Sequence, residues 1–303
     1  MFKKTTLVML MVLMLSSGAR AQELYKKLQD ISVTVKAGMS EGSGVIITRS
    51  VKTEGNKTEE INFVWTAAHV IDTLRSVRSV IENGQPKKIV EFKDAQIVQE
   101  LVENGRRVGE LKMDAKVIKY SDATDGEDLA LLMVRKRSFI KNNAEFYSGE
   151  GKPVPIGAEL YHVGSLLGQT GSNSMTRGIV SQVGRVLSLG TGDGTVFDQT
   201  TVTAFPGSSG GGVFLSERSG DKAGQYMGML VRGAGETFNL IVPVRRMRSW
   251  AAKQDILWAI DGNKEVPDMK DILTLPVEGP KSKPSGDKKN FTPDAVKFPT
   301  LIH

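Results

Sequence analysis

Apolar and polar residues fall in short runs along most of this chain, and many of the runs repeat with period two. Ile31-Ser32-Val33-Thr34-Val35, Gly44-Val45-Ile46-Ile47-Thr48 and Ile61-Asn62-Phe63-Val64-Trp65 predict three successive strands. Ile89–Phe92, Ala115–Ile118 and Leu129–Val134 continue the series. A second set follows at Leu160–Gly164, Gly178–Arg185, Val196–Thr203, Tyr226–Val231 and Phe238–Pro243. The polar stretch Val51–Glu60 reads as a loop, and Arg135–Gly151 reads as a link between two halves. Helical spacing is confined to short segments: Glu23–Asp30, a continuation over Ile71–Ile81, and Val244–Ile260. Asp94–Gly109 fits strand and helix alike, because Ile97, Val98, Leu101 and Val102 suit both periods. From Asp261 on, Pro and Lys accumulate, and residues 251–303 are expected to be a helix end followed by a mostly disordered tail.

Composition narrows the picture. With 303 residues, 40% hydrophobic and 24% charged, the chain can bury a sizeable core. Thirty-two glycines suit a turn-rich β protein. The first 21 residues have the form of a secretory signal peptide: Lys3-Lys4, the apolar run Leu7–Leu15, and the small-residue site Ala19-Arg20-Ala21. Nine apolar residues are too few to span a bilayer, so no stable membrane anchor is expected once the leader is removed. These features predict an exported protein, periplasmic in a bacterium or secreted. Losing Lys3, Lys4 and Arg20 with the leader lowers the formal charge from +6 to +3, too mild to suggest a nucleic-acid partner. The absence of cysteine excludes thiol chemistry, cysteine metal sites and disulfides.

The densest chemical signal is Phe205-Pro206-Gly207-Ser208-Ser209-Gly210-Gly211-Gly212. Four glycines in six residues disfavour a regular helix or strand. Such a turn is either a plain glycine-rich β-turn or a backbone cradle around the central hydroxyl of Ser209. A serine hydroxyl attacks at neutral pH only with a base in reach, and that base needs a partner to fix its tautomer. Three histidines exist: His69, His162 and the terminal His303. His162 lies in an apolar strand pattern, where a hydrogen-bonded core histidine is the expectation. His69 follows a strand end among Thr66-Ala67-Ala68, the setting of an exposed base, and Asp128 stands at the mouth of the Leu129–Val134 strand.

Thr66-Ala67-Ala68-His69, Asp128-Leu129-Ala130-Leu131 and Gly207-Ser208-Ser209-Gly210-Gly211 resemble, in order, the three active-site motifs of trypsin-like serine proteases. Gly164-Ser165-Leu166-Leu167-Gly168 and Gly178-Ile179-Val180-Ser181 extend the resemblance toward the bacterial HtrA/Deg branch. The resemblance covers about Ile31 to Arg248. It implies an all-β chymotrypsin-type fold of two perpendicular six-stranded barrels, at about 30–140 and 155–245, followed by a C-terminal helix, within a protease domain of 22–250. It implies catalytic His69, Asp128 and Ser209, and an oxyanion hole from the N–H groups of Gly207 and Ser209. It implies a specificity pocket near Thr203, Met229, Leu230, Val231, Leu240, Ile241 and Val242. None of the seven is acidic, so an apolar residue is expected before the scissile bond. Arg232 stands either at the pocket rim or in solvent. No metal and no cofactor is expected.

The sequence departs from that branch in two respects and from animal trypsins in a third. The tail is too short and polar for a PDZ domain. His69 and Asp128 are 59 positions apart, which suggests an insertion beside the cleft near 94–109. Ser208 occupies the place where animal trypsins carry an aspartate for zymogen activation, so no such activation is expected. The resulting expectation is a serine endopeptidase acting on extended or unfolded polypeptides. One alternative is a peptide-binding or scaffolding protein on the same fold. An esterase of the α/β-hydrolase type would carry the order Ser, acid, His, and this chain runs His, Asp, Ser.

Overall fold

The structure is a computed structural model that describes residues 21–103, 106–124, 126–137, 139–149, 152–168, 173–187, 194–233 and 237–279. The expected leader lies outside the described residues but for Ala21, and so does the tail beyond residue 279. Residues 21–30 form helix α1, which leads into strand β1 (Ser32–Ala37). The first barrel comprises β1, β2 (Ser40–Lys52), β3 (Thr58–Thr66), β6 (Ala95–Glu103), β7 (Arg106–Ser121) and β8 (Leu129–Val134), in the order β1-β2-β3-β8-β7-β6. Antiparallel pairing of Val35 with Ile97 closes it. The second comprises β9 (Glu159–Ser165), β10 (Asn173–Leu187), β11 (Thr195–Thr200), β12 (Gly212–Leu215), β13 (Tyr226–Gly233) and β14 (Asn239–Pro243), in the order β10-β11-β14-β13-β12-β9. Pairing of β9 with β10 closes it. The all-β reading and the two six-stranded barrels hold.

Burial explains why some strands lack an alternating pattern. Every residue of β8 is buried, as are the last six of β3. One face of these strands fills the barrel. The other is covered by chain that follows the second barrel. Helix α3 (Val244–Lys253) sets Trp250 edge-on to Trp65, with ring centroids 6.0 Å apart. Trp258 packs edge-on to Phe63 at 4.9 Å, and the Trp65 indole N–H donates to the Ala259 carbonyl at 3.1 Å. Burying aromatic side chains of this size stabilises by about 2–3 kcal/mol each. The C-terminal segment therefore clasps the first barrel to the second.

Three expectations need correction. No helix runs over 71–81: α2 is Ala68–Ile71, and the chain then enters a hairpin of β4 (Arg75–Glu82) and β5 (Gln85–Phe92) outside both barrels. Within 94–109, where an insertion was expected, Gln96, Ile97 and Val98 pair with β1 in the first barrel. Residues 254–279 are also not a disordered tail. Ile256, Trp258, Ile260 and Ile272 are buried in the core, α4 spans Met269–Thr274, and Tyr120 N–H donates to the Val277 carbonyl at 2.9 Å. Likewise α3 stops at Lys253 rather than at Ile260.

Candidate active site

His69 projects from α2, the single helical turn after β3. Ala67 and Ala68 are fully buried, which lets this turn sit tight against the barrel. Asp128 reaches it from the loop before β8. His69 Nδ1 lies 2.9 Å from Asp128 Oδ2 and 3.0 Å from Oδ1, and the His69 backbone N–H donates to Oδ1 at 3.1 Å. Both carboxylate oxygens are thus directed at one residue, and the carboxylate accepts the Nδ1 proton, leaving Nε2 as the basic nitrogen. Asp128 holds φ of 55°, a left-handed backbone that Asp tolerates better than most residues. Burial, the largest influence, disfavours the imidazolium, but the charge and hydrogen bond of Asp128 outweigh it and raise the His69 pKa above 6.5. Burial likewise disfavours the Asp128 carboxylate, and its bonds to His69 hold its pKa below the ordinary value.

The glycine stretch resolves into two successive tight turns. Ser208 N–H donates to the Phe205 carbonyl at 2.9 Å, with Pro206 and Gly207 as the central pair and Gly207 at φ 92°. That is a type II turn, with Pro at its preferred position and glycine where φ must be positive. Gly211 N–H donates to the Ser208 carbonyl at 2.9 Å, with Gly210 at φ 85°, which repeats the pattern around Ser209. A Cβ on Gly210 would lie 2.2 Å from the Ser43 carbonyl oxygen and 2.9 Å from Ala67 N, so the turn abuts the segment leading to His69. The Pro206 carbonyl is tied to Leu167 N–H at 2.7 Å, on the opposite side of its peptide from Gly207 N–H. Among the described residues the N–H groups of Gly207 and Ser209 donate to nothing. Two free donors flanking a serine hydroxyl can stabilise a developing oxyanion. Also among the described residues, no hydrogen bond joins Ser209 Oγ to His69.

The geometry is that of a charge-oriented base beside a serine and a pair of unpaired donors. A family model for the trypsin-like peptidase domain matches residues 42–220, more than half of the chain. The chain belongs to the trypsin-like peptidase family. A curated relative, the serine protease Do-like HtrA of Lactobacillus helveticus, is 33% identical over 132 residues. That match covers 44% of this chain and 28% of the relative's length. Two solved structures share the fold. A serine endoprotease from Yersinia pestis superposes with TM-score 0.51 at 16% identity, covering 78% of this chain and 66% of the other. An inactive form of the Mycobacterium tuberculosis protein Rv3671c superposes with TM-score 0.52 at 15% identity, covering 80% and 92%.

In this trypsin-like peptidase the seven residues expected at the specificity pocket sit unequally. Thr203 is half-buried, and its carbonyl accepts from the Thr176 hydroxyl at 2.9 Å. Met229, Leu230, Val231, Leu240, Ile241 and Val242 are all buried in apolar cores. Leu230 and Ile241 pack with Val180, Val213 and Met227, while Met229, Val231, Leu240 and Val242 join the larger cluster.

Two residues matter more than the sequence reading allowed. Ser208 is a lock as well as a spacer: it is buried, and its Oγ accepts from Phe205 N–H at 3.1 Å, fixing the first turn. Ser43, in the first part of β2, connects the barrels. Its N–H donates to the Ser209 carbonyl at 2.7 Å, its Oγ donates to the Gly207 carbonyl at 2.6 Å, and the same Oγ accepts from Ser165 N–H at 2.8 Å. The small-residue stretch Gly42-Ser43-Gly44 leading into the apolar run Val45–Ile47 was the available signal. His162 is the core histidine expected: it is fully buried, Nδ1 pairs with the Gly212 carbonyl at 3.0 Å, and burial pushes its pKa down to about 4. Arg232 is half-buried, with Nη2 3.4 Å from the Ala123 carbonyl.

Proposed function

We propose that this trypsin-like peptidase is an exported serine endopeptidase in which Ser209 is the nucleophile, His69 the general base and Asp128 its orienting partner. His69 Nε2 takes the Ser209 proton as Oγ attacks the scissile carbonyl, and the imidazolium returns that proton to the leaving amine. The carbonyl oxygen gains negative charge within reach of the Gly207 and Ser209 N–H groups, a donor pair typically worth about 3–4 kcal/mol for each member lost. Asp128 stays ionised throughout and holds Nδ1–H. The pocket beside Thr203 takes an uncharged side chain. Substrates are extended or unfolded polypeptides aligned as an added strand along the end of β13, Val231–Gly233, beyond the residues that pair with β12. Export rests on the basic, apolar and small-residue order of residues 1–21.

The observation that carries this reading is the Asp128 carboxylate turned with both oxygens onto His69, the arrangement a base needs and a packing histidine does not. The absence of a His69–Ser209 hydrogen bond among the described residues favours a second reading, a peptide-binding protein on the same fold. Catalytic hydrogen bonds often tighten only when substrate binds, so this does not outweigh the dyad. The two readings separate on unfolded casein. The endopeptidase reading expects fragments from the wild type and none from His69→Ala or Ser209→Ala. Binding of casein without fragments from the wild type would establish the second reading.

A further inference from the structure

Arg232 is a cation placed at the candidate site, and among the described residues no acid pairs with it. It stands near the end of β13, two residues beyond Leu230, whose carbonyl accepts from Gly210 N–H at 2.8 Å directly after Ser209. Leu230 thus places β13 against the turn that carries Ser209, and Arg232 follows it on the same strand. The strand breaks register between Leu230 and Arg232. Past that break the guanidinium reaches the Ala123 carbonyl, in the loop whose Asp122 carbonyl receives the Asp128 N–H.

The guanidinium is under-used. It carries five N–H donors. Its contact at Ala123 is long, at 3.4 Å, and its buried Nε–H has no partner among the described residues. Among the described residues no carboxylate forms an ion pair with it, and both Asp128 oxygens are committed to His69. Its charge is nevertheless felt by His69 and by Asp128. A half-buried guanidinium in this state gains from any carboxylate that arrives with a ligand, since charge-assisted bonds are about twice as strong as neutral ones.

An extended substrate presents alternate side chains to opposite sides. If the residue before the scissile bond enters the pocket of the second barrel, the preceding residue faces the other way, toward His69 and the first barrel. Arg232 occupies that side. We infer that Arg232 selects an acidic side chain, Glu or Asp, at the residue immediately preceding the one that fills the pocket. The inference rests on the endopeptidase reading. It names a substrate class: polypeptides with an acid followed by an apolar residue at the cut.

The test is a set of peptides identical except at that position, carrying Glu, Asp, Gln, Ala or Lys, with kcat/KM measured for the full-length wild type, Arg232→Gln and Arg232→Glu. Wild type should cleave the Glu peptide at least tenfold better than the Gln and Ala peptides, and the Lys peptide worst. Raising salt from 50 to 500 mM should shrink the advantage, because the pair is partly solvent-screened. Arg232→Gln should bring the Glu-to-Gln ratio within twofold, and Arg232→Glu should invert the Glu-to-Lys ranking. A wild type that cleaves all five peptides within twofold overturns the inference while leaving the endopeptidase reading standing. An unchanged ranking in Arg232→Gln also overturns it. If neither variant folds, the wild-type ranking and its salt dependence decide. Failure of the wild type to cleave any of the peptides overturns the endopeptidase reading and this inference together.

Discussion

Replacing Ser43 by Ala removes one oxygen from the junction of the two barrels. That oxygen donates to the Gly207 carbonyl and accepts from Ser165 N–H, and the residue is fully buried. The variant leaves a carbonyl and an N–H without partners. Each buried unsatisfied group costs about 1–3 kcal/mol, so the expected loss is about 2–6 kcal/mol. For a domain of this size that lowers Tm by about 5–20 °C. The second consequence is local. The Gly207 carbonyl belongs to the peptide that follows the Gly207 N–H, and freeing it lets the turn reorient. Loss of one oxyanion donor costs about 10²- to 10³-fold in kcat, so Ser43→Ala should lower kcat by tenfold or more with KM within about threefold. Ser43→Thr keeps the hydroxyl and serves as the control. Thermal melts and steady-state peptide cleavage, both below the variant's melting range, provide the readouts. A lowered Tm with kcat within twofold of wild type would falsify the claim that Ser43 holds the donors in place.

The remaining predictions concern charge and proton state. Asp128→Asn should preserve the hydrogen-bonded geometry but offer a donor where Nδ1–H needs an acceptor, lowering kcat by about 10⁴-fold as in the general triad template; a loss under tenfold contradicts the assigned role. Cleavage requires neutral His69, and its pKa is raised, so the acid limb of the kcat/KM profile should fall above pH 6.5. An NMR titration placing His69 below 6.5 in the free protein would count against the Asp128 pairing. His162 behaves in the opposite sense, because its folded pKa, about 4, lies below the unfolded value near 6.5. Below 6.5 the unfolded chain binds the extra proton first. The stability His162 contributes is therefore complete above about pH 6.5 and is lost progressively toward pH 4. Urea midpoints measured from pH 7 to pH 4 should show this slope in wild type and a shallower one in His162→Gln.

Which parts of this architecture were legible in the sequence follows from how local their physics is. His69, Asp128 and Ser209 stood out because each sits at a strand end or tight turn with a chemically suggestive neighbour. The β4–β5 hairpin was equally local, but Ile71–Ile81 was read as a helix and only Ile89–Phe92 as a strand. Asn83-Gly84 is the two-residue signal for a hairpin, and both residues have positive φ, at 52° and 75°. The ambiguity of 94–109 has a structural cause: the β6–β7 register shifts between Leu101 and Val102, which breaks the period-two pattern at that point. Burial of Trp258 and Ile272 was not legible locally. Trp258 sits in the short apolar run Ile256–Ile260, and the Phe63 ring of a distant strand makes it a core residue, while Ile272 is buried although Lys270, Asp271 and Thr274 surround it in the chain. Ser43 was obscured for the same reason, since its partners Gly207 and Ser165 are far along the chain.

The central claim is that Ser209 is a nucleophile activated by His69. The most direct measurement is labelling of the purified protein at pH 8 with a fluorophosphonate, followed by peptide mapping in a mass spectrometer. The account predicts one stoichiometric adduct on Ser209, strongly slowed in His69→Ala and absent in Ser209→Ala. An adduct on Ser208 or on another serine, or equal labelling of wild type and His69→Ala, would contradict it.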